Sequence, residues 1–207
     1  TDKECVYSEF VSLIVDSDIY AKEITALELR EYFIKQGIRM RLLDGDKRII
    51  PQVELINKEY RCSFKSLKEG LIDRNEFTEC IETINNEQSF VISGNAGYGK
   101  SGCTEAILNY CEKEDIPYIA IKLDRRIPHG NSEIWGQELG FAGSIVYALN
   151  AISKDKTAVL VLDQLDALRW TQANSSEALA VCMEMIRQVG YLNYERAKKM
   201  MIVFVCR

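Results

Sequence analysis

Residues 94–101 read Gly94-Asn95-Ala96-Gly97-Tyr98-Gly99-Lys100-Ser101. They fill every fixed position of the pattern G-x-x-x-x-G-K-[ST]. Each position has a physical task. The glycines let the backbone take positive φ and bring its N–H groups close to an anion. The helix that follows turns the positive end of its dipole toward the same point. Lys100 can reach terminal phosphates, and the Ser101 hydroxyl can ligate Mg²⁺. Asn95, Ala96 and Gly97 form the body of the loop, and Gly102 carries it into the helix. The Tyr98 ring either stacks near the ligand or covers the loop. Upstream, Ser89-Phe90-Val91-Ile92-Ser93 is an apolar run suited to a buried strand. Downstream, residues 101–110 read as a helix with Cys103, Ala106, Ile107 and Tyr110 on one side. Strand, glycine loop and helix in this order predict a nucleotide site.

A phosphate loop of this kind needs a carboxylate to hold the Mg²⁺ that bridges the phosphates. An apolar strand ending in that carboxylate would place it beside the loop. Val159-Leu160-Val161-Leu162-Asp163 supplies one, so Ser101 and Asp163 are the predicted metal ligands. Asp166 lies three positions on. It either orients or deprotonates the attacking water, or caps a turn past the strand.

The bulk properties narrow the field. The chain has 207 residues, 47% hydrophobic and 28% charged, which suits one domain with a smaller extension. A net charge of −5 offers no global basic field to nucleic acid. The seven cysteines show no C-x-x-C spacing and read as buried free thiols of a reducing cytosol. The lone histidine, His129, has no zinc-type spacing around it. No apolar run reaches membrane-spanning length and no signal peptide opens the chain. These features predict a cytoplasmic protein with no membrane partner.

Residues 1–68 read as a small, mostly helical N-terminal region, with helices over 7–15 and 24–36. Residues 38–43 alternate like a strand, Asp44-Gly45-Asp46 reads as a tight turn, and Arg48-Ile49-Ile50 as a returning strand. A winged-helix-like unit therefore competes with a helical adaptor. Pro51 opens a helix through Val53, Leu55, Ile56, Tyr60 and Phe64.

Residues 69–207 read as the nucleotide-binding domain. Asp73 with Glu76 resembles a capping box. Strands are expected over 89–93, 117–123, 157–162 and 200–206. Helices are expected over 100–112, 133–139 and 144–152. A further helix, capped by Asn174, carries Leu179, Cys182, Met185, Ile186 and Val189. Continuous apolar runs predict parallel strands buried on both faces, and the alternation predicts an α/β domain with helices on both sides of the sheet. Asp124, Arg125 and Arg126 follow the second strand on its ligand side, as contacts or as a solvated turn. Trp135 and Trp170 read as core.

Gly94 through Ser101 together with Leu160-Val161-Leu162-Asp163-Gln164-Leu165-Asp166 resembles the NACHT-type STAND ATPases, signalling relatives of AAA+ proteins. Their second motif reads hhhhD-x-x-[DE]. AAA+ motors place glutamate directly after the aspartate, where this chain has Gln164. Leu71-Ile72-Asp73-Arg74-Asn75-Glu76 is similar to the family segment whose backbone cups adenine and whose arginine closes the pocket. That implies nucleotide contacts for Ile72 and Arg74. Val203-Phe204-Val205-Cys206-Arg207 is similar to the sensor strand, which implies that Arg207 lies near the γ-phosphate.

The resemblance covers about residues 70–207. It implies a three-layer P-loop NTPase sandwich with strand order 1-4-3-2. It also implies a fifth strand, lid helices, a winged-helix element and an ADP-holding histidine, none with a counterpart here. The chain is therefore expected to be part of a longer protein.

The function implied is an ATP-binding, slowly hydrolysing switch, of a kind that serves in bacterial anti-phage defence or regulation. Its partners would be nucleotide with Mg²⁺, further copies of itself in the active state, and effector and sensor domains of the same chain. An AAA+ motor or loader acting on nucleic acid or protein is the main alternative, opposed by Gln164. A kinase would need a lid and an acceptor site, and neither is visible. A GTPase would need an [NT]-K-x-D motif, which is absent. A module that holds nucleotide only as a structural element remains open.

Overall fold

The computed structural model describes residues 2–16, 24, 26–38, 46–63, 74–154, 156–169 and 175–207. The chain divides into two compact units, Thr1–Leu42 and Leu43–Arg207. In the first, helices α1 (Asp2–Val15) and α2 (Ala26–Lys35) contribute the buried Leu13 and Phe33. The Tyr32 hydroxyl donates to Glu9 at 3.3 Å.

The second unit begins with α3 (Ile49–Cys62). The strand expected over 48–50 is not formed, because residues 49 and 50 open this helix. Its start is fixed locally. The Asp46 carboxylate accepts from the Arg48 N–H at 3.0 Å, and the Asp46 carbonyl accepts from the Ile49 N–H at 3.1 Å. Pro51 falls in the first turn, where its missing N–H costs nothing. Ile49, Val53, Ile56 and Tyr60 recur at helical spacing and are buried. That apolar face draws α3 into the larger unit, which starts at Leu43. Residues 39–45, the rest of the expected hairpin, lie outside the described residues. So do Ile72, Asp73, Trp170 and Asn174. Helix α4 (Asn75–Asn85) has Arg74 as its N-cap in extended backbone, in place of the expected Asp73.

Four strands form one parallel sheet: β1 (Phe90–Ser93), β2 (Tyr118–Lys122), β3 (Ala158–Asp163) and β4 (Met200–Cys206). Their order is β1-β4-β3-β2, as expected. The connections carry α5 (Lys100–Lys113), α6 (Ser132–Glu138), α7 (Ile145–Ser153) and α8 (Ser175–Glu195), plus a 3₁₀ turn at Leu165–Arg169. Alternate strand residues face opposite layers. Ile119, Ile121, Leu160, Leu162 and Ile202 pack with α6, α7 and α8. Ala120, Val159, Val161, Met201 and Val203 pack with α4 and α5. The second unit is thus an α/β sandwich with an open parallel sheet.

Helix α3 serves both layers. Ile49, Val53 and Ile56 join the first cluster, and Tyr60 joins the second. Between them, the Asn57 amide donates to the Tyr118 carbonyl at 2.9 Å and accepts from the Ala120 N–H at 2.9 Å. One side chain therefore pairs the outer edge of β2 as a neighbouring strand would.

Burial departs from expectation in two places. β3 is buried throughout, but β1 alternates, with Val91 57% exposed, because it pairs with β4 alone among the described residues. In α8 the inward face is Ala178, Cys182, Met185 and Val189, while Leu179 and Ile186 point outward.

Candidate functional site

The 94–101 loop joins β1 to α5. Gly94, Gly97 and Gly99 take φ of 155°, 85° and 85°. These values are open to glycine and strained for other residues. Gly99 is the N-cap of α5, and no side chain caps the helix. The first-turn amides of a 14-residue helix are thus left without a side-chain partner, at the positive end of its dipole. Asn95, Ala96, Gly97, Tyr98 and Ser101 are exposed to solvent, and Gly102 is half-buried in the first turn. Such a surface fits a phosphate group.

Two cations already touch this loop. The Lys100 ammonium donates to the carbonyls of Gly94 and Asn95, the latter at 2.9 Å. The Arg74 guanidinium donates to the Tyr98 carbonyl at 3.2 Å and lies against Gly99, 3.0 Å from where a Cβ would stand. Tyr98 is 67% exposed, with its ring edge 3.8 Å from where a Cβ on Gly94 would stand.

Asp163 ends β3, paired in register with Lys122 of β2 and Val205 of β4. Ser93, just before the loop, pairs with Cys206 of β4. The two ends therefore flank β4 at one edge of the sheet, about 10 Å apart at two strand spacings. Asp163 alternates with Val159 and Val161, which face the α5 layer. Its side chain is buried, at 4% exposure. Burial pushes its pKa above the ordinary carboxylate value, while the Tyr60 hydroxyl, Lys122 and the Gln164 amide pull it back. The Tyr60 hydroxyl donates to Asp163 Oδ2 at 3.0 Å. Burial first, and then the Asp163 charge, hold that phenol well above its usual pKa.

Gln164 follows with φ of 63°, an unusual conformation for a side-chain-bearing residue. The chain then turns into the 3₁₀ segment that presents Asp166. Asp166 Oδ1 accepts from the Arg207 N–H at 3.1 Å, and Oδ2 lies 3.7 Å from Arg207 Nε. The fold thus brings together four groupings: Lys100 with Gly94 and Asn95, Arg74 with Tyr98 and Gly99, Asp163 with Tyr60, and Asp166 with Arg207. Asp124, Arg125 and Arg126 are exposed, with Arg126 paired to Glu59 at 2.9 Å. Trp135 is core.

Among the described residues, no three His, Cys, Asp or Glu side chains converge as a metal site. A divalent cation held by Ser101 and Asp163 would draw its remaining oxygens from ligand and water, as Mg²⁺ commonly does.

Tyr60 was not singled out by its sequence. It reads there as one more apolar position of a helix. The available signal was chemical: a tyrosine on a buried helix face must place its hydroxyl against an acceptor.

Comparison with family models and with curated proteins finds no match for this chain.

Proposed function

We propose that the α/β unit is a P-loop NTPase domain that binds ATP with Mg²⁺ at the 94–101 loop and hydrolyses it slowly, as a switch of the STAND kind. The observation that carries this reading is the start of α5. Its uncapped amides follow a loop with three positive-φ glycines and stand beside Lys100. The shared sheet edge of Ser93 and Asp163 supports it, as does the presence of Arg74 on the loop.

In this reading the loop amides and Lys100 hold the phosphates, and Arg74 closes over the nucleotide. Ser101 and Asp163 would hold Mg²⁺, whose charge would offset that of the phosphates. Asp166 orients the attacking water and accepts its proton. The water oxygen bonds to the terminal phosphorus as the bond to the bridging oxygen breaks, and that electron pair leaves on ADP. Arg207 offsets the charge that develops. Gln164, at the position where motors carry glutamate, supports slow turnover. Output would pass through self-association and through effector and sensor domains of the same chain, in the cytoplasm. The Asp166–Arg207 pair favours a second reading, a binding-only module, because Asp166 already accepts from the Arg207 backbone N–H.

Phosphate release by the purified chain separates these readings. Slow turnover is expected, reduced about 100-fold or more by either Asp163→Ala or Asp166→Ala. Normal turnover in Asp166→Ala would remove it from the proton-transfer role. Nucleotide binding with no turnover in the unaltered chain would leave the binding-only module.

A further inference from the structure

We propose that Tyr60 is a positioning residue for the metal-binding carboxylate. Its hydroxyl binds Asp163 Oδ2 and fixes the orientation in which the carboxylate would meet a divalent cation. This inference rests on the function proposed above and adds to it a group from outside the nucleotide-binding motifs.

Three observations carry it. First, the contact is direct and buried. Tyr60 and Asp163 are both buried, and the hydroxyl donates at 3.0 Å. Carboxylates that ligate metals are commonly oriented by such donors, and losing the donor weakens metal binding about tenfold to a hundredfold. Second, the tyrosine is held from both sides along its own helix. Asn57, one turn before it, grips the β2 edge through two hydrogen bonds. Arg61, next to it, binds Glu105 of α5 at 2.7 Å and the Tyr118 hydroxyl at 3.2 Å. These anchors fix where the phenol can stand. Third, the hydroxyl lies between the two halves of the site. The buried Thr104 of α5 lies beside it, and Thr104 donates to the Lys100 carbonyl at 3.1 Å. The Lys122 ammonium stands 5.7 Å from the centre of the Tyr60 ring. Helix α3 thus links the end of β3 to the helix that carries Lys100 and Ser101.

The test is a Mg²⁺ titration of ATP binding to the full chain and to Tyr60→Phe, with a parallel measurement in EDTA. The variant is expected to match the parent in EDTA and to need about tenfold more Mg²⁺ or greater for half-maximal enhancement. A purely structural role would lower the unfolding temperature and leave the Mg²⁺ midpoint in place. A second measurement keeps the hydroxyl. With 3-fluorotyrosine at position 60, the fluorine resonance is expected to move when Mg²⁺ joins the nucleotide complex, and to stay still in Asp163→Asn. An unchanged midpoint in Tyr60→Phe, or a resonance indifferent to Mg²⁺, overturns the role of Tyr60 while leaving the nucleotide site standing. Failure of the unaltered chain to bind ATP overturns both.

Discussion

Gly99 shows how narrowly the loop is specified. It combines a φ of 85° with the Arg74 guanidinium standing where a Cβ would need room. A methyl group there would meet Nη1 at 3.0 Å and would sit in a conformation that alanine resists. Gly99→Ala is expected to cost about 1–3 kcal/mol, read as a lower unfolding midpoint, and to displace Arg74 from the Tyr98 carbonyl. Gly97 has the same φ but open space around it, so alanine there meets only the backbone strain. Most of this loop was legible in the sequence, because its residue types follow from local backbone demands. Tyr60 was not legible, because its role depends on a contact 103 positions away.

Helix α3 departs furthest from the sequence reading. Alternation over 38–50 suggested a hairpin, yet Asp46 and Pro51 favour a helix start, and the buried face from Ile49 to Tyr60 completes it. Short apolar segments carry both periodicities, and tertiary packing decides between them. Once formed, α3 closes the sheet at β2 through Asn57. Asn57→Ala would leave the Tyr118 carbonyl and the Ala120 N–H without their partner, at a cost of about 1–3 kcal/mol. The expected result is a lower denaturant midpoint and faster hydrogen exchange at Ala120. An unchanged exchange rate would mean that the edge is satisfied without the side chain. β3 and β4, by contrast, were readable from composition alone, since strands buried on both faces must be apolar throughout. In α8 the expected Cys182, Met185 and Val189 turn inward, but Leu179 and Ile186 do not, although they are as apolar as the residues that do.

The α/β unit as a whole works against its proposed ligand. The full chain carries a net charge of −5, which repels an anion, so binding must come from groups placed at one edge of the sheet. The topology supplies that placement. With β4 between β1 and β3, the glycine loop, Asp163 and Arg207 all lie at the same ends of parallel strands. The strand order was available from family resemblance rather than from any property of the strands themselves. No helix among the described residues is long and apolar enough to cross a membrane. This edge is the proposed ATP site, built on Lys100 and the start of α5. Titration calorimetry of ATP with Mg²⁺ into the full chain and into Lys100→Ala tests it most directly. The prediction is one saturable site in the unaltered chain, weakened about tenfold to a hundredfold by the substitution. No binding in the unaltered chain, or equal affinity in both, would contradict it.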